Sequence, residues 1–445
     1  MSGPQDKYDA LVIGAGVGGL CAAARLVHRG YRTLVVESLP YVGGRASTRD
    51  IDGFKINNGA IVVETGGVAE ETFREIGAEL NLRFPDAPMM MRIGDKDLDI
   101  AGGRVNAAMS VVARRGMMLL DRFGGTGAGK AKANLSTADW VARYTKNETV
   151  NGAVRNMCAS IFSVGADELP AGVFLAYFAR TNALAAKVGF CPEGTIGVWK
   201  SLASAIVGRG GDVWLSATVT SLRIEDGVVT GASIKKGRKT FEIGADVVVS
   251  NIGPRGTLRL VGEENATPNY RAGVRAGDRP TSMISVNFAS QEDLISAPGV
   301  LSFARTQRLC YVANFTATCP EMAPPGWNLY VGASVPRPAL GDFDESAEIE
   351  LLHQDLREQI PGFERARIIS TEVNRGDWPT QRAVAGSDAA RTTPFPNLWN
   401  VGDGVKEYAT GGTGACAQTS KLVVEEIESR YPASLAPHRK QMSEV

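Results

Sequence analysis

Glycines carry the clearest chemistry in this sequence. Gly14-Ala15-Gly16-Val17-Gly18-Gly19 matches G-x-G-x-x-G directly after a short apolar run ending at Ile13, and it opens a small-residue helix from about Gly18 to His28. In that setting Gly14 permits a tight turn, Gly16 lets the backbone approach a pyrophosphate, and Gly19 lets the helix pack closely on the strand. The phosphates then sit at the helix N-terminus, where unpaired amides and the dipole favour negative charge. A second β-branched run, Thr33 to Val36, leads into Glu37 and Ser38. An acid at that point accepts from a ribose hydroxyl and disfavours a 2′-phosphate. A glycine-rich turn beside a surface glutamate is the plainer reading, but strand, turn, helix and acid together favour a dinucleotide.

Further groups with the same character follow along the chain. Gly43-Gly44-Arg45 combines two residues that let backbone pass close to a ligand with a planar donor able to bridge phosphate oxygens or cover a ring. Asn57-Asn58-Gly59-Ala60 comes next, then the strand around Val219, and then the apolar run Ala245 to Asn251 with Pro254 behind it. Near the end, Leu398 to Val401 leads into Gly402-Asp403-Gly404, Tyr408, and a helix opening at Gly412-Thr413-Gly414-Ala415. The glycine-rich turn, the acid and Gly-Gly-Arg resemble the N-terminal signature of the FAD-dependent phytoene desaturase and flavin amine oxidase superfamily. The phrase from Ala245 to Val261 is similar to its phytoene-desaturase-like branch.

That resemblance implies FAD, held non-covalently, since no cysteine stands just before Trp378 to Arg391 and Cys416 lies inside the last helix. It assigns Gly14, Ala15, Gly16, Gly18, Gly19, Glu37, Ser38, Gly43, Gly44 and Arg45 to the cofactor. Asn58, Gly59 and Ala60 belong to a loop over the flavin, Val219 meets the adenine through its backbone, and Asn251 follows the third strand. Asp403 after Gly402 is then expected at the ribityl or phosphate region. Gly412, Thr413, Gly414 and Ala415 bring helix amides to the flavin N1 and C2 carbonyl, where reduction builds negative charge.

The implied fold class is α/β, a Rossmann-like FAD-binding domain of the GR2 type with a discontinuous mixed α+β substrate domain. Residues 1-85, 192-280 and 370-432 are read as the FAD-binding domain, 86-191 and 281-369 as the substrate-binding domain, and 433-445 as a tail. Spacings of three and four predict a helix from Glu64 to Leu82, alternation predicts a β-meander from Val213 to Asn251, and Ile349, Leu352 and Leu356 mark a helix over Glu345 to Gln359.

Composition narrows the remaining choices. Lys plus Arg and Asp plus Glu both number 48, so no basic excess is available for a phosphate backbone and nucleic acid is not an expected partner. Three scattered histidines and six scattered cysteines supply neither a metal site nor a Ser-His-Asp triad. No secretory leader or spanning segment is read, so a cytoplasmic location is expected.

Met89 to Met91, Met117 to Leu120 and Phe174 to Phe178 suggest an apolar pocket and a small apolar substrate. The favoured reaction is desaturation of a carbon-carbon bond in an isoprenoid or alicyclic compound, cyclic ketones included, with oxygen or a quinone as electron acceptor. An amine oxidase releasing hydrogen peroxide, a non-catalytic FAD-binding module, and the reverse saturase reaction stay open. Tyr408 and Trp378 are the catalytic candidates, as an acid/base group or aromatic wall, while Lys406 and Glu407 read as solvated charges. An apolar substrate leaves peripheral membrane contact and a homo-oligomer open.

Overall fold

A computed structural model describes residues 6–100, 111, 115, 135–179 and 187–433. Met117 to Leu120 and nearly all of the tail lie outside them.

The apolar run Lys7–Ile13 forms the middle of a seven-stranded sheet. It pairs in parallel with Thr33–Val36 on one side and with the second half of Lys239–Ser250 on the other. Asp212–Trp214 extends the parallel set beyond Thr33–Val36, and Leu398–Asn400 joins it beside Val248 to Ser250. Runs this apolar suit a sheet covered on both faces. Ala10 and Val12 face the helices Val17–His28, Val68–Ile76, Thr195–Gly208 and Gly412–Arg430, whereas Leu11 and Ile13 pack with Val219, Leu258 and Val274 opposite. Period-two alternation therefore survives in a strand buried from Tyr8 onward.

The β-meander expected from Val213 onward is present as Ala217–Glu225, Val228–Lys236 and Lys239–Ser250. The last of these changes partner along its length, pairing antiparallel with Val228–Lys236 up to Gly244 and parallel with Leu398–Asn400 after Val248. The sheet is thus mixed.

A second seven-stranded sheet runs in the order Arg367–Asn374, Met283–Ser290, Asn328–Ser334, Leu309–Asn314, Val300–Phe303, Met89–Ile93, Lys96–Asp99. Its one face is covered by Glu345–Gln359 through Leu352 and Leu356, its other by Glu148–Phe162 and Ala171–Ala179. Position 370, read from sequence as a domain boundary, falls inside Arg367–Asn374, which pairs with Met283–Ser290. The expected helix over Glu64 to Leu82 is shorter. Val63–Glu64 is a strand paired with Val188–Gly189, and the helix spans Val68–Ile76 between Gly67 and Gly77, the latter at φ +72°. Glycines at both ends stop a pattern whose periodicity would carry it further.

Close packing of the second sheet against Glu148–Phe162 depends on Gly152, where a Cβ would collide with the Ala304 carbonyl. Gly152→Ala should destabilise the fold by about 1–3 kcal/mol, read as a lower denaturant midpoint at unchanged slope; an unchanged midpoint would remove this contact from the account.

Candidate functional site

Four segments converge at the C-terminal ends of the parallel strands: the turn after Ile13, Gly43 to Arg45, Asn251 to Gly253, and Gly402 to Gly404. Gly14 turns at φ +93° and donates its amide to Val36 O at 2.8 Å; Gly43, at φ +97°, donates to Ala15 O at 2.8 Å. The Asn251 side chain fills the space that Cβ atoms would need: 2.7 Å from one on Gly16, 2.6 Å from one on Gly18 and 2.7 Å from one on Gly402. A Cβ on Gly19 would collide with the Gly14 carbonyl. The first helix starts at Val17 with no side-chain cap and no acid in its first turn, which leaves its amides available to an anion.

Glu37 is buried behind that turn. Its Oε2 accepts from the Ala15 amide at 2.7 Å, and its Oε1 accepts from the Leu39 amide at 2.8 Å and Ser38 Oγ at 3.2 Å. The Ala217 amide donates to Glu37 O at 2.9 Å, which sets the strand of Val219 beside the acid.

Arg45 is committed to a protein partner instead of standing open to a ligand. Its Nη1 and Nη2 donate to Asp403 Oδ2 and Oδ1 at 2.7 and 2.6 Å, with further bonds from Nη1 to the carbonyls of Pro379 and Thr380. Asp403 also accepts from the Arg382 amide at 2.9 Å. Burial alone would raise the Asp403 carboxyl, but the charge and hydrogen bonds of Arg45 hold it well below the usual carboxylate range. The Asn58 loop braces this pair: Ala60 N donates to Arg45 O at 3.2 Å, Asn58 Nδ2 donates to Ser47 Oγ at 2.9 Å, and a Cβ on Gly59 would meet Arg45 O at 2.6 Å.

The closing helix Gly412–Arg430 begins at Gly411 with no side-chain cap, Gly412 at φ +71°, and Thr413 and Ala415 buried. Among the described residues six buried side-chain atoms lack a hydrogen-bond partner, and three of them are consecutive: Thr380 Oγ1, Gln381 Oε1 and Arg382 Nε. A fourth, Trp199 Nε1, belongs to an indole packed 3.2 Å from where a Cβ on Gly43 would stand. Buried donors and acceptors are normally paired, so a cluster of orphans beside two uncapped helix starts fits a cofactor rich in both. Gly412, Gly414 and the carboxyl of Glu64 meet at the same helix mouth.

Sequence reading missed Glu64, Thr380, Gln381, Arg382 and Lys406. Lys406 is buried, contrary to its reading as solvated: Nζ donates to Ala383 O and Asp388 Oδ1, both at 2.7 Å, and to Asp403 O at 3.1 Å. Glu407 is exposed as expected. The catalytic candidates are not brought together in one cavity. Tyr408, 51% exposed, lines an open cavity of about 440 Å³ with Asp388, Arg391, Lys406 and Glu426, whereas Trp378, 37% exposed, lies between Asp377 and Pro379, which line another hollow.

The family model described as flavin containing amine oxidoreductase matches residues 17–401. The chain belongs to this family. It is similar to the 15-cis-phytoene desaturase of Solanum lycopersicum, 20% identical over 99% of this chain and 81% of the relative. Among solved structures, an oxidoreductase from Methanosarcina mazei covers 94% of this chain and 100% of its own at 26% identity and a TM-score of 0.78. Putrescine oxidase shares the fold at 14% identity and a TM-score of 0.68, covering 96% of this chain and 100% of its own. The protein is an FAD-dependent oxidoreductase of this superfamily. Among the described residues no helix is long and apolar enough to cross a membrane.

The buried Arg45–Asp403 pair has a measurable weight. Asp403→Asn should cost about 3–5 kcal/mol at neutral pH by leaving the buried Arg45 charge without its carboxylate. Because the folded carboxyl is depressed, its contribution is present above about pH 4 and lost as pH falls through the folded value. The variant should therefore show a shallower acid limb in stability against pH than the parent; parallel limbs would contradict the assignment.

Proposed function

We propose that the chain dehydrogenates a carbon-carbon bond of an isoprenoid or alicyclic compound, cyclic ketones included, with non-covalent FAD as the hydride acceptor. The observation that carries this reading is the meeting of the closing helix with an apolar core. Gln381 Nε2 donates to Ile161 O at 3.3 Å, and Gly411 lies against both, so the helix mouth adjoins the residue before Phe162, from which the rings of Tyr177, Phe178 and Phe174 follow in contact through the second sheet's cover. Such a wall excludes water and favours an apolar substrate. The full-length likeness to a phytoene desaturase supports the same chemistry.

In this reading the Gly14 to Gly19 turn and the first helix hold the pyrophosphate, Glu37 and Ser38 the ribose, and the backbone of Val219 the adenine. Gly43, Gly44, Asn251 and Gly402 let the chain approach the cofactor. The Arg45–Asp403 pair, braced by Asn58 to Ala60, orients the loops around it, and Gly412 to Ala415 present amides to the ring. FAD supplies hydride acceptance at a ring nitrogen when bound. Tyr408, whose hydroxyl burial pushes upward, is neutral at physiological pH and serves as the acid/base group, with Trp378 as a more distant aromatic residue. Oxygen or a quinone reoxidises the cofactor. A second reading, oxidation of a carbon-nitrogen bond with peroxide release, has the likeness to putrescine oxidase in its favour, which extends to fold.

Anaerobic addition of isoprenoid, cyclic-ketone and amine panels separates the two, with flavin bleaching near ~450 nm as the read-out of hydride transfer. Bleaching by an alicyclic or isoprenoid compound with an alkene product is expected; bleaching by amines alone would overturn the reading. Tyr408→Phe should slow that bleaching about 100-fold or more with the flavin spectrum unchanged, and an unchanged rate would reduce Tyr408 to a wall residue.

A further inference from the structure

A carboxyl that neither holds FAD nor touches substrate in the proposed chemistry stands at the mouth of the closing helix. Glu64 ends the strand Val63–Glu64, fixed by its pairing with Val188–Gly189. A Cβ built on Gly412 would stand 3.2 Å from Glu64 Oε1, and one on Gly414 2.7 Å from Oε2, so glycine at both positions leaves room for the carboxyl. Burial raises its proton affinity, with the Gly414 amide acting in the opposite direction. No charged side chain is among the causes of that shift. The titratable groups on surrounding elements are the Cys416 thiol, pushed up to about 12 by burial, Lys187 before the paired strand, Tyr408 on the loop before the helix, and the Arg45–Asp403 pair, whose charges reach Cys416.

A second observation marks the same place as a ligand site. Gln381 is 7% exposed and its Oε1 has no partner. Its Nε2 lies 3.8 Å from where a Cβ on Gly411, the helix N-cap, would stand. A buried acceptor left unpaired is costly unless a ligand donates to it.

The geometry points to Glu64 as the residue that couples proton uptake to reduction of the bound flavin. Hydride transfer puts two electrons and one proton on the ring and leaves a net negative charge, which the helix amides stabilise. That charge raises the proton affinity of a neighbouring carboxylate. Between the pKa of Glu64 beside oxidised flavin and its pKa beside reduced flavin, one further proton passes from solvent to the carboxylate. Two electrons then enter with two protons; at higher pH they enter with one. The inference needs FAD at this helix and no particular substrate, so it fails or stands apart from the desaturase reading.

The test is an anaerobic spectroelectrochemical titration of the FAD-loaded protein across a series of pH values. In the parent chain the midpoint potential should fall about twice as steeply with pH in one window as above it, as two protons against one require. Glu64→Gln, binding FAD with the same spectrum, should lose the steep window, and Glu64→Asp should restore it at a shifted pH. A break that persists unchanged in Glu64→Gln overturns the inference. So does a single-proton slope throughout in the parent, which decides the matter even if Glu64→Gln takes up no FAD.

Discussion

The site depends on how closely the first helix approaches the strand end it leaves. With no side chain at Gly19, the helix backbone lies against the Gly14 carbonyl, and with none at Gly16 and Gly18 the side chain of Asn251 fits between turn and neighbouring strand. Gly402 completes the arrangement from the last parallel strand, its backbone standing 3.1 Å from a Cβ built on Gly18. A methyl at Gly16, Gly18 or Gly402 would displace the Asn251 side chain, and one at Gly19 would push the helix N-terminus off the sheet edge. The unpaired amides would then no longer face the place where a pyrophosphate can sit.

Around this crossing the buried charges fall into committed and uncommitted groups. Arg45 is paired with Asp403, Lys406 with Asp388, and Arg25 with Glu75, each within hydrogen-bond distance. Such pairs hold loops in register more than they add stability. The uncommitted atoms, Thr380 Oγ1, Gln381 Oε1 and Arg382 Nε, follow one another on a single stretch whose first and last residues bond to the Arg45–Asp403 pair and whose middle one lies against Gly411 at the closing helix. Polarity left open in one line, beside two uncapped helix starts, distinguishes a cofactor site from a merely well-packed core.

Much of this was legible from sequence because it rests on local backbone demands. A turn at positive φ, a helix start without a cap and an acid at the end of a strand each leave a mark in residue type and spacing, so the Gly14 to Gly19 turn, Glu37 and the Gly412 helix could be placed without coordinates. Burial is not local. Lys406 and Glu64 look like any other charged residues in sequence, and only the meeting of distant segments buries the first and brings the second to the mouth of the closing helix. Gln381 gave no signal because an amide is equally at home on a surface. The pairing of Arg45 with Asp403 joins residues on either side of the whole second sheet, and each had been read as a ligand contact. The helix expected over Glu64 to Leu82 shrank for the opposite reason: a strong apolar period concealed the glycines that end it.

The most direct test of the account is to purify the protein, record its visible spectrum and precipitate it with acid. A yellow protein that releases about one FAD per chain into the supernatant is expected, since the site described has one dinucleotide turn and no covalent anchor. A colourless protein that FAD cannot reconstitute would contradict the assignment of the site, and flavin retained in the pellet would contradict the non-covalent reading.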